Sequence, residues 1–246
     1  MMGRLIQAEF LKLSKLKSYK ILVFGLAGAG VLTSCIFAFL PADGVPPGIN
    51  LQDGYHIYIS LLADSEVFMG FSIIFTVLFV NTEFYNRTFS GSLFSGCSRR
   101  SILLAKAIVF LLGLIPVAFA VPLMAGVTGS ISLGLGVVNA SMWQTLIQTT
   151  LLAILGNAAL GGVCLLIAVS VKNIAGTIGV GFGLMIIMET MKMFSGTERM
   201  IEMISLYQTG SLLQPGYIMM SIIMNSTILV LTLIASIVIF QRSDLK

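Results

Sequence analysis

The chain has 246 residues, of which 57% are apolar and only 10% are charged, and its mean hydropathy is +1.01. A soluble domain carries about 25% charged residues, so these charges are too few to cover a soluble fold of this size. The 14 Lys and Arg exceed the 10 Asp and Glu, but they cluster at the ends of apolar segments. That pattern is typical of membrane topology rather than of nucleic-acid binding. We therefore predict an integral membrane protein with no nucleic-acid partner.

Cysteine and histidine indicate no metal or redox site. Cys35, Cys97 and Cys164 are odd in number and far apart in sequence, which disfavours both a disulfide framework and metal-binding spacings. His56 is the single histidine, whereas zinc motifs such as H-E-x-x-H need two. We predict no catalytic residue, no metal site and no cofactor on this chain.

Residues 2–17 precede the first apolar segment and are predicted to form an amphipathic helix. At about 100° per residue its apolar side chains fall on one side, opposite Arg4 and Lys15. Glu9 falls within the apolar side, where a carboxylate must stay hydrated or find a cationic partner. We expect this basic helix to lie along the inner membrane surface. A frayed turn in water is the alternative.

Six apolar segments approach the roughly 20 residues that a membrane-spanning helix needs. They predict an all-α fold with one transmembrane domain over residues 1–246. The first segment is too long for a signal-peptide core and is followed by five others. The predicted spans cover residues 21–40, 67–82, 107–127, 144–171, 174–190 and 218–240.

The charges in the connections predict the orientation, because Lys and Arg are retained on the cytoplasmic side. With the N-terminus inside, 12 of the 14 Lys and Arg lie on that side, and Lys192 and Arg199 lie outside. Six spans then place both termini in the cytoplasm.

Two segments are predicted to lie outside the membrane on the opposite side. Residues 41–66 contain three prolines and four acids but no Lys or Arg, which predicts a turn-rich loop with His56 in water. Residues 191–217 are predicted to hold a short amphipathic helix capped by Thr197. This helix either packs over the outer mouth of the spans or is a passive interfacial helix.

The connection between spans two and three, residues 83–106, is the most informative segment. Gly91 and Gly96 have the spacing of a phosphate-binding loop, but Cys97 stands where that loop needs Lys, so we predict no ATP hydrolysis here. Aromatic and Arg residues favour a protein interface. Alternatively, the Arg residues hold the loop inside while the aromatics lie among lipid headgroups. The predicted docking residues are Phe84, Tyr85, Arg87, Phe89, Leu93, Phe94, Arg99 and Arg100.

Glu83 and Arg87 lie one helical turn apart at the start of this connection. An ion pair between them would stiffen the segment as a coupling element, at a gain of only about 0.3 to 0.5 kcal/mol if exposed. A simple arrangement of charges at a helix end explains them as well.

Small residues in two spans permit close contact between helices. They are Gly25, Gly28 and Gly30 in span one and Ala175, Gly179 and Gly183, at steps of four residues, in span five. Span five is therefore a candidate dimer or gate surface. The alternative is that glycine is simply common in membrane helices.

Two stretches resemble the permease subunits of ABC-2 type transporters, especially the small six-span bacterial proteins of peptide export and antimicrobial-peptide immunity. The first stretch, Ala8-Glu9-Phe10-Leu11-Lys12-Leu13-Ser14-Lys15, is similar to the basic elbow helix before span one of that family. The second stretch, residues 83–106, is similar to its acid-x-x-x-Arg-Thr, Gly-x-Ser-Arg and Ile-Leu-x-x-Lys connection. The resemblance covers essentially the whole chain, with about thirty residues of motif quality.

The resemblance implies an exporter in the bacterial cytoplasmic membrane. A coupling helix in the connection would dock onto a separate ABC ATPase subunit, which binds ATP and Mg. A second permease copy or a sister permease would complete the transporter, and the substrate would be an amphipathic peptide. Two alternatives are an ion-coupled secondary transporter and a membrane anchor or regulator of an ATPase that transports nothing.

Overall fold

The computed structural model describes residues 2–39, 53–63, 65–86, 98–136, 139–192 and 215–242. Every element within these ranges is a helix. A π-helical turn, Val77–Asn81, joins α4 to α5. The helices are α1 (Met2–Lys15), α2 (Lys17–Phe39), α3 (Gly54–Ala63), α4 (Ser65–Thr76), α5 (Thr82–Tyr85), α6 (Arg99–Leu133), α7 (Ala140–Val171), α8 (Ile174–Lys192) and α9 (Pro215–Arg242).

Among the described residues, four helical segments are long and apolar enough to cross a membrane, namely α2, α6, α7 and residues Ile218–Arg242 of α9. Two shorter apolar helical segments, Met69–Tyr85 and Ile174–Met188, accompany them. The protein is therefore an all-α membrane protein.

Helices α6 and α7 form the centre of the described bundle. Their most apolar stretches are 56% and 67% buried, whereas those of α2 and α9 are only 17% buried. Helix α2 packs along α6, and α9 packs along α7. The outer surfaces of α2 and α9 are therefore available to lipid.

A stacked group of aromatic rings fills the core where α2, α4 and α6 meet. The ring of Phe75 lies parallel to that of Phe110 at 5.2 Å and to that of Phe79 at 5.7 Å. Tyr19 adds a tilted ring 5.2 Å from Phe75 and donates a hydrogen bond to the carbonyl of Gly113. Such aromatic pairs add to the stability gained from burial alone.

Helix α3 corrects the predicted external loop over residues 41–66, because residues 54–63 are helical and packed against α6. A side chain at Gly54 would collide with the backbone of Ser130, and one at Gly126 would lie 2.9 Å from Tyr58. Glycines on both helices thus allow this close approach. The sequence prediction failed because the matching surface lies more than sixty residues further along the chain.

Several predicted elements lie outside the described residues. These are most of the outer segment 191–217, including the helix predicted after Thr197, and residues 87–97 of the connection.

Candidate functional site

Four charged side chains form a closed ring where α1, α5 and α6 meet. The Nζ of Lys106 lies 2.6 Å from Oε2 of Glu9 and 2.9 Å from Oε2 of Glu83. The Nζ of Lys12 lies 2.5 Å from Oε1 of Glu9 and 3.3 Å from Oε1 of Glu83. Each ammonium thus contacts both carboxylates. We call these four residues the charge ring, and its net charge is zero.

The charge ring is buried on one side and open on the other. The side chain of Lys106 is 0% exposed, and those of Glu9 and Glu83 are 8% and 16% exposed. The Lys12 side chain is 46% exposed. An unpaired buried ammonium is expensive, and here two carboxylates lie within hydrogen-bond distance of the Lys106 Nζ. The ring of Phe79, 4.4 Å from its Nζ, adds a cation–π contact.

The ring also changes the acidity of its members on α1. Burial by itself would raise the pKa of Glu9, but the attraction and hydrogen bonds of Lys106 and Lys12 outweigh it, and the pKa is lowered. Burial by itself would lower the pKa of Lys12, but the carboxylates of Glu9 and Glu83 outweigh it, and that pKa is raised. Glu9 and Lys12 are therefore both charged at neutral pH.

Local helix geometry directs the two carboxylates toward Lys106. Glu9 lies three residues before Lys12 on α1, so both side chains share one face of that helix. Glu83 lies two residues after the π turn, whose wide spacing is marked by the bond from the backbone N–H of Thr82 to the carbonyl of Val77, five residues earlier. One extra residue rotates the rest of the helix by about 100°. The π turn, a feature frequent at functional sites, therefore decides which way Glu83 points.

Residues 77–86, which we call the junction segment, also contact α8 and α9. The Asn81 side chain donates hydrogen bonds to the carbonyl of Asn173 at 3.1 Å and to the hydroxyl of Thr177 at 2.7 Å. The Phe84 ring meets that of Phe240 edge-on at 6.3 Å. The junction segment is thus attached to α1, α6, α8 and α9 at one end of the bundle, which we call the α1 end.

The predicted docking residues divide into three groups. Arg87, Phe89, Leu93 and Phe94 lie outside the described residues. Phe84 and Arg99 are directed toward α9 within this chain, the latter through a 3.3 Å hydrogen bond to the carbonyl of Gln241. Tyr85, 76% exposed, and Arg100 are accessible to a partner.

Of the predicted coupling pair, Glu83 and Arg87, only Glu83 is among the described residues, so an ion pair with Arg87 stays a prediction. The Glu83 carboxylate bonds Lys12 and Lys106, which lie on other helices. The helical-turn spacing considered only neighbours along the chain, whereas these partners are brought in by folding.

The elbow-like helix α1 contributes to the ring and to the outer surface. Glu9 and Leu13 are buried against the bundle, whereas Phe10 is 53% exposed. Lys15 is also exposed. Of the two alternatives predicted for Glu9, hydration or a cationic partner, the structure shows the partner.

The predicted packing residues divide into two groups. Gly30 is confirmed, because a side chain added there would lie 2.5 Å from a backbone oxygen of α6. A side chain added at Gly25, Gly28, Gly179 or Gly183 would meet no atom within 4 Å, and Ala175 is exposed, so these residues face out of the described bundle. On α8 a close approach occurs at Gly181, against Ile73, which was not predicted.

Sequence reasoning missed the importance of Lys106. From the sequence, Lys106 was counted only as one of the cytoplasmic charges and as the last residue of a family-like motif. The available signal was its setting, Leu103-Leu104-Ala105-Lys106-Ala107-Ile108, in which a lone charge has apolar neighbours on every side of a helix.

No known protein family matches the chain, and no curated protein has a significantly similar sequence. In the described part of the chain, no group of three or more His, Cys, Asp or Glu is placed to hold a metal ion.

Proposed function

We propose that the chain is the membrane-spanning permease subunit of an ABC exporter, driven by ATP that a separate ATPase subunit hydrolyses. The observation that supports this proposal best is the charge ring. It joins the elbow-like helix, the start of the connection and a central helix, α6, through contacts of 2.5 to 3.3 Å. A transporter driven by an ATPase outside the membrane needs such a rigid connection between its docking loop and its membrane-spanning helices.

The charge ring transmits movement between helices because separating its members costs free energy. Pulling Glu83 away from Lys106 would break a 2.9 Å contact with a fully buried ammonium, and breaking a buried ion pair is strongly destabilising. Displacement of residues 83–106 by an ATPase would therefore carry α1 and α6 along. Through Asn81 and Phe84 it would also move the ends of α8 and α9.

In the proposed arrangement the α1 end faces the bacterial cytoplasm, and six spans place both chain termini there. The two shorter apolar segments, Met69–Tyr85 and Ile174–Met188, would be spans two and five. Two permease chains, identical or sister, would enclose the path of an amphipathic peptide. ATP and Mg would bind to the ATPase partner.

The charge ring also weighs against the ion-coupled alternative. Proton- and ion-coupled carriers place titratable groups near the middle of the membrane, whereas the ring lies at the α1 end and its charges compensate one another. A non-transporting ATPase anchor would need the docking residues but no attachment of the junction segment to four helices. This attachment favours a transporter.

The test begins with purification of the tagged full chain from its native host in mild detergent, followed by mass spectrometry and an ATPase assay. We expect a stoichiometric ATPase partner. Replacing Phe89, Leu93 and Phe94 together by Ala should release the partner while the permease stays in the membrane. The control Phe24→Ala removes an exposed aromatic from α2 and should leave the partner bound.

A second variant separates docking from coupling. Glu83→Gln combined with Lys106→Met removes one charge of each sign from the ring and should leave the ATPase bound. The ATPase activity should then no longer respond to substrate. Absence of any ATPase partner, or its retention in the triple Ala variant, would contradict the proposed docking.

A further inference from the structure

A groove of about 260 Å³ opens between the middle parts of α6 and α7. Ile108, Leu112 and Ile115 of its α6 wall are 38 to 49% exposed, so the groove opens sideways, toward the surface that lipid covers. One polar residue, Asn157, lies among its apolar lining. The α7 wall consists of Ile154, Asn157 and Ala158.

The Asn157 amide has an unused hydrogen-bond donor. Asn157 is only 5% exposed. Among the described residues, no hydrogen-bond partner contacts its buried Nδ2. A donor in an apolar setting is costly unless an acceptor reaches it. The groove therefore combines apolar walls with a demand for one acceptor oxygen.

The depth of Asn157 limits which molecules can supply that oxygen. It lies 17 residues after the start of α7 and 14 before its end, which is roughly 20 Å or more from either end at 1.5 Å per residue. The hydrocarbon core is about 30 Å thick, so the donor lies inside it. Phospholipid ester carbonyls lie at the boundary of the core and do not reach this depth.

Gly161, one helical turn beyond Asn157, closes the groove at that end. A side chain added there would lie 2.3 Å from Cδ1 of Leu114 and 3.4 Å from Cδ2 of Leu111. The glycine thus lets α6 and α7 approach closely just past the amide. Leu111 and Leu114 also line the groove together with Asn157, so the groove begins beside this close approach.

We propose that this groove binds an aliphatic amphiphile that places a carbonyl oxygen against Nδ2 of Asn157. The branched side chains of α6 accept the hydrocarbon part, and the amide donates to the carbonyl. A phospholipid tail would fill the apolar walls but leave the amide unpaired, so the groove prefers a molecule with a carbonyl at mid-depth. The site belongs to this chain alone and does not require an ATPase partner.

The test uses the purified full chain in phospholipid nanodiscs and two photoreactive probes. One probe is dodecanamide with a diazirine on its chain, and the other is a dodecane diazirine of equal length. After irradiation, mass spectrometry locates the labelled residues. We expect the amide to label both walls of the groove at a half-saturating concentration roughly 3- to 10-fold below that of the hydrocarbon, the equivalent of one hydrogen bond.

Two variants identify the amide responsible. Asn157→Leu keeps a similar size, so it should abolish the preference for dodecanamide while the hydrocarbon still labels the groove. Gln148→Leu removes an amide from another groove on α7 and should change neither probe. Equal half-saturation of the two probes in the unmodified chain would overturn the proposal, whether or not the variants insert. So would an unchanged preference in Asn157→Leu.

Discussion

Replacing Lys106 by Met tests the charge ring most directly. The substitution keeps a long apolar stem but removes the ammonium that lies 2.6 Å from Glu9 and 2.9 Å from Glu83. Within the ring, Glu9 and Glu83 then keep only the partly exposed Lys12, and the formal charge of the ring becomes −1. Loss of one partner from a buried ion pair costs about 3 to 5 kcal/mol, and we expect Lys106→Met to lower the free energy of unfolding by that amount.

Lys12→Met provides the matched comparison, since it removes the other ammonium of the same ring. Its side chain is 46% exposed, so water replaces much of what is lost, and the expected cost is below about 1 kcal/mol. Combining Lys106→Met with Glu9→Gln restores neutrality. The double variant should be more stable than Lys106→Met alone, because one uncompensated carboxylate has been removed.

The free energy of unfolding can be measured on the purified full chain in mixed micelles, by circular dichroism during titration with a denaturing detergent. The reasoning fails if Lys106→Met and Lys12→Met cost the same, below about 1 kcal/mol. It fails also if the double variant is less stable than Lys106→Met, since the lost charge balance would then not be the cause.

Three further predictions concern packing, pH and the π turn. Gly30→Ala should destabilise the protein by about 1 to 3 kcal/mol, because the new methyl would lie 2.5 Å from a backbone oxygen of α6. The control Gly25→Ala places its methyl more than 4 Å from any other atom. It should leave the free energy of unfolding unchanged in the same assay. Folding lowers the pKa of Glu9, so its ionised carboxylate stabilises the folded state fully above pH 4.5, the ordinary pKa. This stabilisation is lost as pH falls through the lowered pKa of the folded state. Folding raises the pKa of Lys12, so its ammonium stabilises the folded state fully below pH 10.5, the ordinary pKa. This stabilisation is lost as pH rises through the raised pKa of the folded state. Unfolding measured against pH should therefore show a plateau between these limits, and a plateau unchanged in Glu9→Gln would contradict the assignment. Asn81→Leu removes two hydrogen bonds to the start of α8 and should speed hydrogen exchange there, while exchange in α2 stays unchanged.

Sequence reasoning selected two members of the candidate site, Glu9 and Glu83, but it did not predict that both contact Lys106. Glu9 was identified as a carboxylate on an apolar face that needs water or a cation, and Glu83 was predicted to belong to a coupling element, which stays a prediction. Their common partner, Lys106, is 97 residues from Glu9 along the chain. Helical spacing relates residues three or four apart, so it directed the prediction toward Arg87.

The sequence alone determined the class of the protein and most of its helices. Apolar composition and the length of apolar segments depend on the chain itself, and the hydrocarbon thickness sets the length that a helix needs. Tertiary structure decided the rest, because the contacts join distant segments. It packed α3 on the glycines of α6, closed the charge ring, and left the Nδ2 of Asn157, in the wall of an apolar groove, without a partner among the described residues. No periodicity in the chain encodes which distant side chain meets which, and that choice is made only when the helices pack.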